Sequence, residues 1–219
     1  MVKFVPQLIN LFATLILLLA FAMISQRRIL SLINLFMLQG AALVAASFLL
    51  GYATGQPDLY VSGALTLVLK VIFIPWMLHR MIGKLNVRWD VETLLNIPTT
   101  MLVGIALVIF AFSLALPVSR LSDSLAGGSL GIALACVMLS FMMMITRSKA
   151  VPQVIAFLSM ENGLIFAATT VTNGMPMIVE FGIALDVLVG VLILGVFMFQ
   201  IREKFDSLDI RHLEVLKED

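Results

Sequence analysis

Three ionisable side chains lie inside long apolar stretches of this sequence: Lys70, Glu161 and Asp186. Gln39 falls in the middle of another apolar stretch. An ionisable group at the centre of a membrane costs about 2.5–3.5 kcal/mol on insertion scales. Buried carboxylates and amines can exchange protons near neutral pH, so these residues predict a proton path or a charge relay. The alternative is a buried ion pair that only joins helices.

Three further residues are secondary candidates for the same path. Asn162 follows Glu161 directly, and Glu180 stands near the outer end of the last apolar stretch. His79 stands beside Arg80 at a predicted helix end, a position that fits the membrane interface better than a relay.

Composition excludes several other classes of protein. The 219 residues are 61% hydrophobic and only 12% charged, whereas a soluble domain is about 25% charged. A soluble fold of this length cannot hide so much apolar surface, and a net charge of +1 gives no basic surface for a nucleic acid. The single cysteine, Cys136, excludes a disulfide framework and a thiolate metal cluster. The sequence therefore predicts an integral membrane protein.

The candidate residues must be positioned by membrane-spanning helices, each of about 20 apolar residues. The alternating ten-residue segments of a membrane β-barrel are missing from the sequence. The expected fold is an all-α bundle with one membrane domain, 1–201, and a tail, 202–219. Seven stretches qualify as spans: roughly Phe4–Ser25, Ile29–Tyr52, Leu59–Ile82, Leu94–Leu116, Leu125–Thr146, Val151–Thr172 and Ile178–Ile201.

Lysine and arginine are distributed unequally between the two sides of these spans, which predicts their orientation. One side receives only Lys3 and Arg120, and Lys70 lies inside a span. We therefore expect the N-terminus outside and the C-terminus in the cytoplasm. The cytoplasmic side would hold the other eleven cations: Arg27, Arg28, Arg80, Lys84, Arg88, Arg147, Lys149, Arg202, Lys204, Arg211 and Lys217.

The order of the spans also suggests an internal repeat. Residues 1–82 and 125–201 form two three-helix units of equal orientation, and the helix at 94–116 links them. In this 3+1+3 parallel pseudo-repeat, Gln39 and Lys70 of the first unit correspond to Glu161 and Asp186 of the second.

These motifs resemble the K subunit of respiratory complex I and the C subunit of multi-subunit cation/proton antiporters. In that family a basic pair precedes a helix with a Leu-Glu-x-x-x-Asn-like motif, and the next helix carries a second glutamate. Ser159–Leu164 resembles the first element, and Ala184–Gly190 resembles the second with Asp186 for glutamate. Gln39 and Lys70 depart from the carboxylates of the family. The seven-helix, duplicated form is similar to the family of component E of hydrogenase 4.

The resemblance implies a non-catalytic membrane subunit of a hydrogenase 4 or formate hydrogenlyase type complex. It would lie in a bacterial or archaeal cytoplasmic (inner) membrane and contribute its buried charges to proton translocation or charge coupling. Antiporter-like and quinone-cavity-like subunits would be its partners, with membrane lipid around it. The nickel–iron and iron–sulfur centres are expected in partner subunits, and no cofactor in this chain.

Two other functions remain open from the sequence. A free-standing 3+1+3 transporter has the same helix plan, although such proteins pair their prolines and Pro75 has no counterpart in the last span. A purely structural membrane anchor also remains open, and only the effects of mutations would distinguish it from a subunit that couples charge.

Overall fold

The computed structural model describes residues 4–85, 96–119 and 126–172, together with residue 190. All regular elements in this part of the chain are helices. Apart from residue 190, the expected seventh span, Ile178–Ile201, lies outside the described residues, as does the tail at 202–219. The helices are α1 Phe4–Ile24, α2 Ile29–Thr54, α3 Pro57–Thr66, a π-helix Leu67–Phe73, α4 Ile74–Leu85, α5 Ile97–Ser119, α6 Ala126–Thr146 and α7 Ala150–Thr172.

Six spans in the described part are long and apolar enough to cross a membrane. Each coincides with one of the first six expected stretches; α6, for example, covers Ala126–Thr146 where Leu125–Thr146 is expected. By length and composition, the chain is therefore a multi-pass membrane protein. Between the third and fourth spans, the helix continues as far as Leu85 before the undescribed residues 86–95.

The third span is one helical rod made of α3, the π-helix and α4. It begins at Pro57. Proline suits this position because backbone N–H groups in the first turn have no acceptor within the helix, so the lack of an N–H costs no hydrogen bond. The turn before it depends on Gly55, whose φ of +69° is left-handed and whose N–H donates to the Gly51 carbonyl. This turn folds the rod back against α2.

Helices α2 and α7 form the centre of the described bundle. Helix α2 contacts α1, α3, the π-helix, α4 and α7, while α7 contacts α1, α2 and α6. Small residues allow these helices to approach closely, as is usual in membranes. A Cβ at Gly163 would lie 3.3 Å from the Ala133 carbonyl oxygen of α6. The central helices thus position the polar groups that they carry, whereas α5 lies at the periphery.

Candidate functional site

Lys70 lies on the π-helix in the middle of the third span, and its side chain is fully buried. A π-helix widens the turn and is rare, and it frequently occurs at functional sites. Helix α2 passes close beside it because Gly40 has no side chain. A Cβ at Gly40 would lie 3.2 Å from Val71 Cγ2. The local geometry therefore brings Lys70 into the centre of the bundle.

The ammonium of Lys70 contacts two consecutive residues of α7. Its Nζ lies 3.1 Å from Glu161 Oε1, and it donates a hydrogen bond to Asn162 Oδ1 at 3.2 Å. The side chains of the ion pair are 0% and 1% exposed. Opposite charges that are this close and this deeply buried attract each other strongly. The free energy needed to remove both from water is correspondingly high.

A chain of amide hydrogen bonds continues from this pair into α2 and α1. Asn162 Nδ2 donates to Gln39 Oε1 at 3.2 Å, and Gln39 Nε2 donates to the Ile16 carbonyl at 3.4 Å. A carbonyl can only accept, so it fixes the amide nitrogen of Gln39 toward α1 and its oxygen toward Asn162. Asn162 then presents its own oxygen to Lys70. Every amide in the chain is oriented by its neighbour.

The paired groups lie near the middle of their spans. At about 1.5 Å per residue, Lys70 is about 20 Å from Pro57 and Glu161 is about 17 Å from Ala150. Gln39 is about 15 Å from Ile29 on the same scale. A hydrocarbon core is about 30 Å thick, so the three side chains share its central region. We call Gln39, Lys70, Glu161 and Asn162 the central polar cluster.

The remaining sequence candidates are His79, Asp186 and Glu180, of which the structure describes only His79. His79 is exposed on α4, and its ring Nδ1 lies 2.8 Å from the carbonyl of Pro75, one turn earlier on the same helix. Asp186 and Glu180 lie outside the described residues. In the described ranges, no group of three His, Cys, Asp or Glu side chains could hold a metal ion.

The structure contains two features near the cluster that were not predicted from the sequence. The π-helix Leu67–Phe73 contains neither proline nor glycine, and the available signal was Pro75 two residues after its end, because a proline in a membrane helix frees a carbonyl that local π-turns can satisfy. Ser140 of α6 and Ser159 of α7 share a buried hydrogen bond of 2.8 Å. Serines at matching depths of consecutive spans could have indicated this contact, because small polar residues often join membrane helices.

Arg147, counted with the cations of the loops, is almost completely buried. Its Nη2 donates to the Met23 carbonyl at 3.2 Å and to the Ile24 carbonyl at 2.7 Å. These carbonyls end α1, where a positive charge is favourable. Burial lowers the pKa of Arg147 to about 10, so the guanidinium is still charged at neutral pH. The sequence could have indicated this contact, because Arg147 directly follows the last residue of α6.

The chain is similar to a mycobacterial protein along most of its length. The chain is 33% identical over 194 residues to "Uncharacterized protein Rv0085" of Mycobacterium tuberculosis, and the match covers 88% of each protein. No family model and no solved structure matches the chain.

Proposed function

The chain belongs to the same family as the mycobacterial protein Rv0085, and we propose that it is a non-catalytic membrane subunit of a hydrogenase 4 or formate hydrogenlyase type complex. Its central polar cluster contributes to proton translocation or charge coupling beside antiporter-like and quinone-cavity-like subunits. Nickel–iron and iron–sulfur centres in those partners handle the electrons.

The buried ion pair of Lys70 and Glu161 is the observation that carries this proposal. Both groups are withdrawn from water in the middle of their spans. Replacement of a buried ion pair by apolar residues is often neutral or stabilising, so packing alone does not explain such a pair. Ionisable residues inside a membrane usually face a proton or ion pathway. A role in charge movement explains why the chain retains two charged groups whose burial is energetically costly.

The contact distance allows a simple exchange of charge. A proton that moves from Lys70 Nζ to Glu161 Oε1 converts the charged pair into a neutral amine and a neutral carboxylic acid. A second proton taken up by the amine, and release of the first by the acid, restores the charged pair. Asn162 and Gln39 do not titrate, so among the four residues of the central polar cluster only Lys70 and Glu161 exchange protons, and the two amides orient the ammonium.

The sequence motif supports the family part of the proposal. Glu161 and Asn162 belong to the segment Ser159–Leu164 that resembles the K subunit of complex I, and both residues contact Lys70. Lys70 and Gln39 occupy the positions where the family has carboxylates. We propose that Lys70 alternates with acidic groups, as lysines do in the antiporter-like subunits of such complexes.

We further propose the complete topology. Seven spans cross the cytoplasmic membrane of a bacterium or archaeon, with the N-terminus outside and the C-terminus inside. Units 1–82 and 125–201 form a parallel pseudo-repeat around the helix at 94–116. The hydrogen bond between Gln39 and Asn162 supports the repeat, because it joins the corresponding middle helices of the two units.

A structural anchor would also use these buried contacts, and one variant separates the two roles. Glu161→Gln keeps the shape and hydrogen bonding of the side chain but removes its titratable proton. Thr169→Val is the matched control, since Thr169 is buried on the same helix and, within the described residues, bonds only to carbonyls of its own helix.

The experiment uses complexes purified through a tag on this chain and shown to contain all their subunits. We expect Glu161→Gln to retain electron transfer to artificial acceptors while the initial rate of proton-gradient formation in liposomes falls at least about tenfold. Thr169→Val should retain both activities. Glu161→Gln leaves the Lys70 ammonium without its carboxylate, which could disrupt assembly. In that case the neutral double variant Lys70→Gln/Glu161→Gln is measured in its place, because it removes this charge as well. Full coupling in an intact Glu161→Gln complex would favour the anchor.

A further inference from the structure

A row of polar side chains on the third span leads from the central polar cluster toward the Pro57 end of that span. It follows one side of the helix at steps of four residues, which place side chains near one another. Its members before Lys70 are Asp58, Ser62 and Thr66. Ser62 and Thr66 are 8% and 6% exposed, and Asp58 is half-buried in the first turn of α3. We call these three residues the polar row.

The π-helix keeps Lys70 in line with the polar row. Each step of four residues turns by about 40° around an α-helix, because one turn contains 3.6 residues. A π-turn closes its hydrogen bond one residue later and contains more residues, so it reverses this drift. The π-helix begins at Leu67, directly after Thr66, and it carries Lys70. It therefore directs Lys70 to the side of the span on which the row lies.

The same side of the span is apolar beyond Lys70. The next two steps of four residues reach Ile74 and Leu78, which are 3% and 1% exposed. Helix α2 changes in the same way around Gln39, since the residues that it buries before Gln39 are all apolar. On these two helices, buried polar side chains therefore reach the cluster from one end of the bundle and apolar ones from the other.

Helix α2 contributes a further buried hydroxyl beside the polar row, that of Ser47. Ser47 immediately precedes Phe48, and a Cβ at Gly63 of α3 would meet the Phe48 ring. Because Gly63 directly follows Ser62, this contact places Ser47 at the depth of the row. Two neighbouring helices thus carry hydroxyls in the same half of the bundle.

These buried hydroxyls retain their full hydrogen-bonding capacity. Serine and threonine in helices often donate to the carbonyl one turn earlier, as Thr169 does to Ile165 at 2.9 Å. Within the described part of the chain, Ser47, Ser62 and Thr66 make no side-chain hydrogen bond. Each can therefore donate and accept, and a buried water molecule needs about two to four such polar partners.

The spacing of the polar row fits a path of water molecules. A step of four residues is about 6 Å along an α-helix. This is too long for a hydrogen bond between neighbouring side chains, but one water molecule with two hydrogen bonds of about 2.8 Å spans it. Two such gaps separate Asp58 from Thr66, and a third leads to Lys70.

We propose that protons reach Lys70 from the Pro57 end of the third span, through a water path lined by the polar row and Ser47. The path supplies the second proton of the exchange, which the neutral Lys70 amine takes up after it has passed the first to Glu161. Asp58 at the mouth attracts cations, and the apolar side chains beyond Lys70 close the path toward the other end. This inference rests on the proposed charge coupling, to which it adds the side of access.

Silver ions test the path without any measurement of activity, because they follow water and bind thiolates. Sealed membrane vesicles contain the intact complex with one cysteine in this chain, in a Cys136→Ala background. Ag⁺ is added to one side, and the thiols that it has not bound are alkylated in detergent and counted by mass spectrometry. The cysteines lie in the row, beyond Lys70 and at an exposed position that identifies the Pro57 end: Ser62→Cys, Thr66→Cys, Ile74→Cys, Leu78→Cys and Ala53→Cys.

We expect Ag⁺ to prevent alkylation of Ser62→Cys and Thr66→Cys from the same side as Ala53→Cys, and to leave Ile74→Cys and Leu78→Cys fully alkylated from either side. Full alkylation of Thr66→Cys would mean that other residues or lipid cover the row, and would overturn the proposal. Protection of Thr66→Cys from the opposite side only would also overturn it. Unchanged proton pumping in Glu161→Gln would contradict the charge coupling, while Ag⁺ protection still decides on the path.

Thr66→Val tests whether the path carries protons, because it removes the hydroxyl at nearly constant volume. In intact complexes we expect the initial rate of proton-gradient formation to fall about tenfold while electron transfer is retained. Thr66→Ser should restore most of the rate. Thr170→Val is the matched control, since its hydroxyl donates to the Phe166 carbonyl of its own helix. An unchanged rate in Thr66→Val, together with a lost rate in Glu161→Gln, would show that protons reach the cluster by another route and would overturn the inference.

Discussion

Asn162 and Gln39 hydrogen-bond to each other at the centre of the bundle, where Asn162 Nδ2 donates to Gln39 Oε1 at 3.2 Å. The contact joins α7 to α2 immediately beside the ion pair. Because Asn162 also accepts from Lys70, one amide connects the charged groups to a neutral chain that ends at the Ile16 carbonyl. The position of the Lys70 ammonium therefore depends on residues that do not titrate.

The first prediction concerns the coupling of these two amides. Asn162→Leu leaves Gln39 Oε1 buried and removes an acceptor from Lys70, so we expect a loss of about 1–3 kcal/mol in the free energy of unfolding. Gln39→Leu should cost a similar amount. The double variant should cost less than the sum, because removal of both partners leaves fewer buried polar atoms unpaired.

Reversible unfolding of the detergent-solubilised chain provides the measurement, with the four proteins of the double-mutant cycle compared under identical conditions. A coupling free energy near zero would mean that the two amides do not interact.

The second prediction concerns Arg147 at the end of α1. Arg147→Met removes charge-assisted hydrogen bonds to Met23 and Ile24, and we expect a loss of about 2–3 kcal/mol in stability. Arg147→Lys should recover part of it through its charge but not through the two-pronged geometry. Arg27→Met is the control, since an exposed cation should change stability by about 0.5 kcal/mol or less.

Thermal unfolding followed by intrinsic tryptophan fluorescence measures these differences. Equal midpoints for Arg147→Met and Arg27→Met would contradict a role for Arg147 in holding α1 to the end of α6.

The third prediction concerns the close packing of α3 on α2. A Cβ at Gly63 would lie 2.5 Å from Cε1 of Phe48, whose ring stacks on Tyr60 with centroids 5.9 Å apart. Gly63→Val must therefore displace the ring, and we expect a loss of about 1–3 kcal/mol in stability. Phe48→Leu in the Gly63→Val background should recover part of this loss by making room. A further loss in the double variant, measured by the same thermal unfolding, would show that the ring is not the obstacle.

Much of the described fold could be predicted because the membrane imposes a length on every span. The stretch Ile29–Tyr52 was expected and α2 runs from Ile29 to Thr54. Lys70, Glu161 and Gln39 were identifiable for the same reason, since polar groups are costly at this depth and stand out among apolar neighbours.

The contacts of the cluster could not be predicted, because they depend on how each helix is rotated and on local winding. The sequence left Glu161 and Asp186 as equal partners for Lys70, and the choice of Glu161 among the described residues follows from the packing of α7 on α2. Pro75 indicates altered winding near Lys70, but it does not predict that a π-helix forms or which neighbour the Lys70 side chain then meets. Arg147 was grouped with the ordinary loop cations, because the distribution of lysine and arginine predicts the side of the membrane and not the burial of a side chain.

The protonation state of Glu161 during turnover tests the central proposal most directly. Infrared difference spectra of the intact complex, recorded between resting and turnover states, detect the carbonyl stretch of a protonated carboxylic acid. We expect such a band in the wild-type complex and in Thr169→Val, and its loss in Glu161→Gln without loss of electron transfer. The same band, unchanged in the Glu161→Gln complex, would show that another carboxyl group gives rise to it. A wild-type spectrum without the band would contradict proton exchange between Lys70 and Glu161.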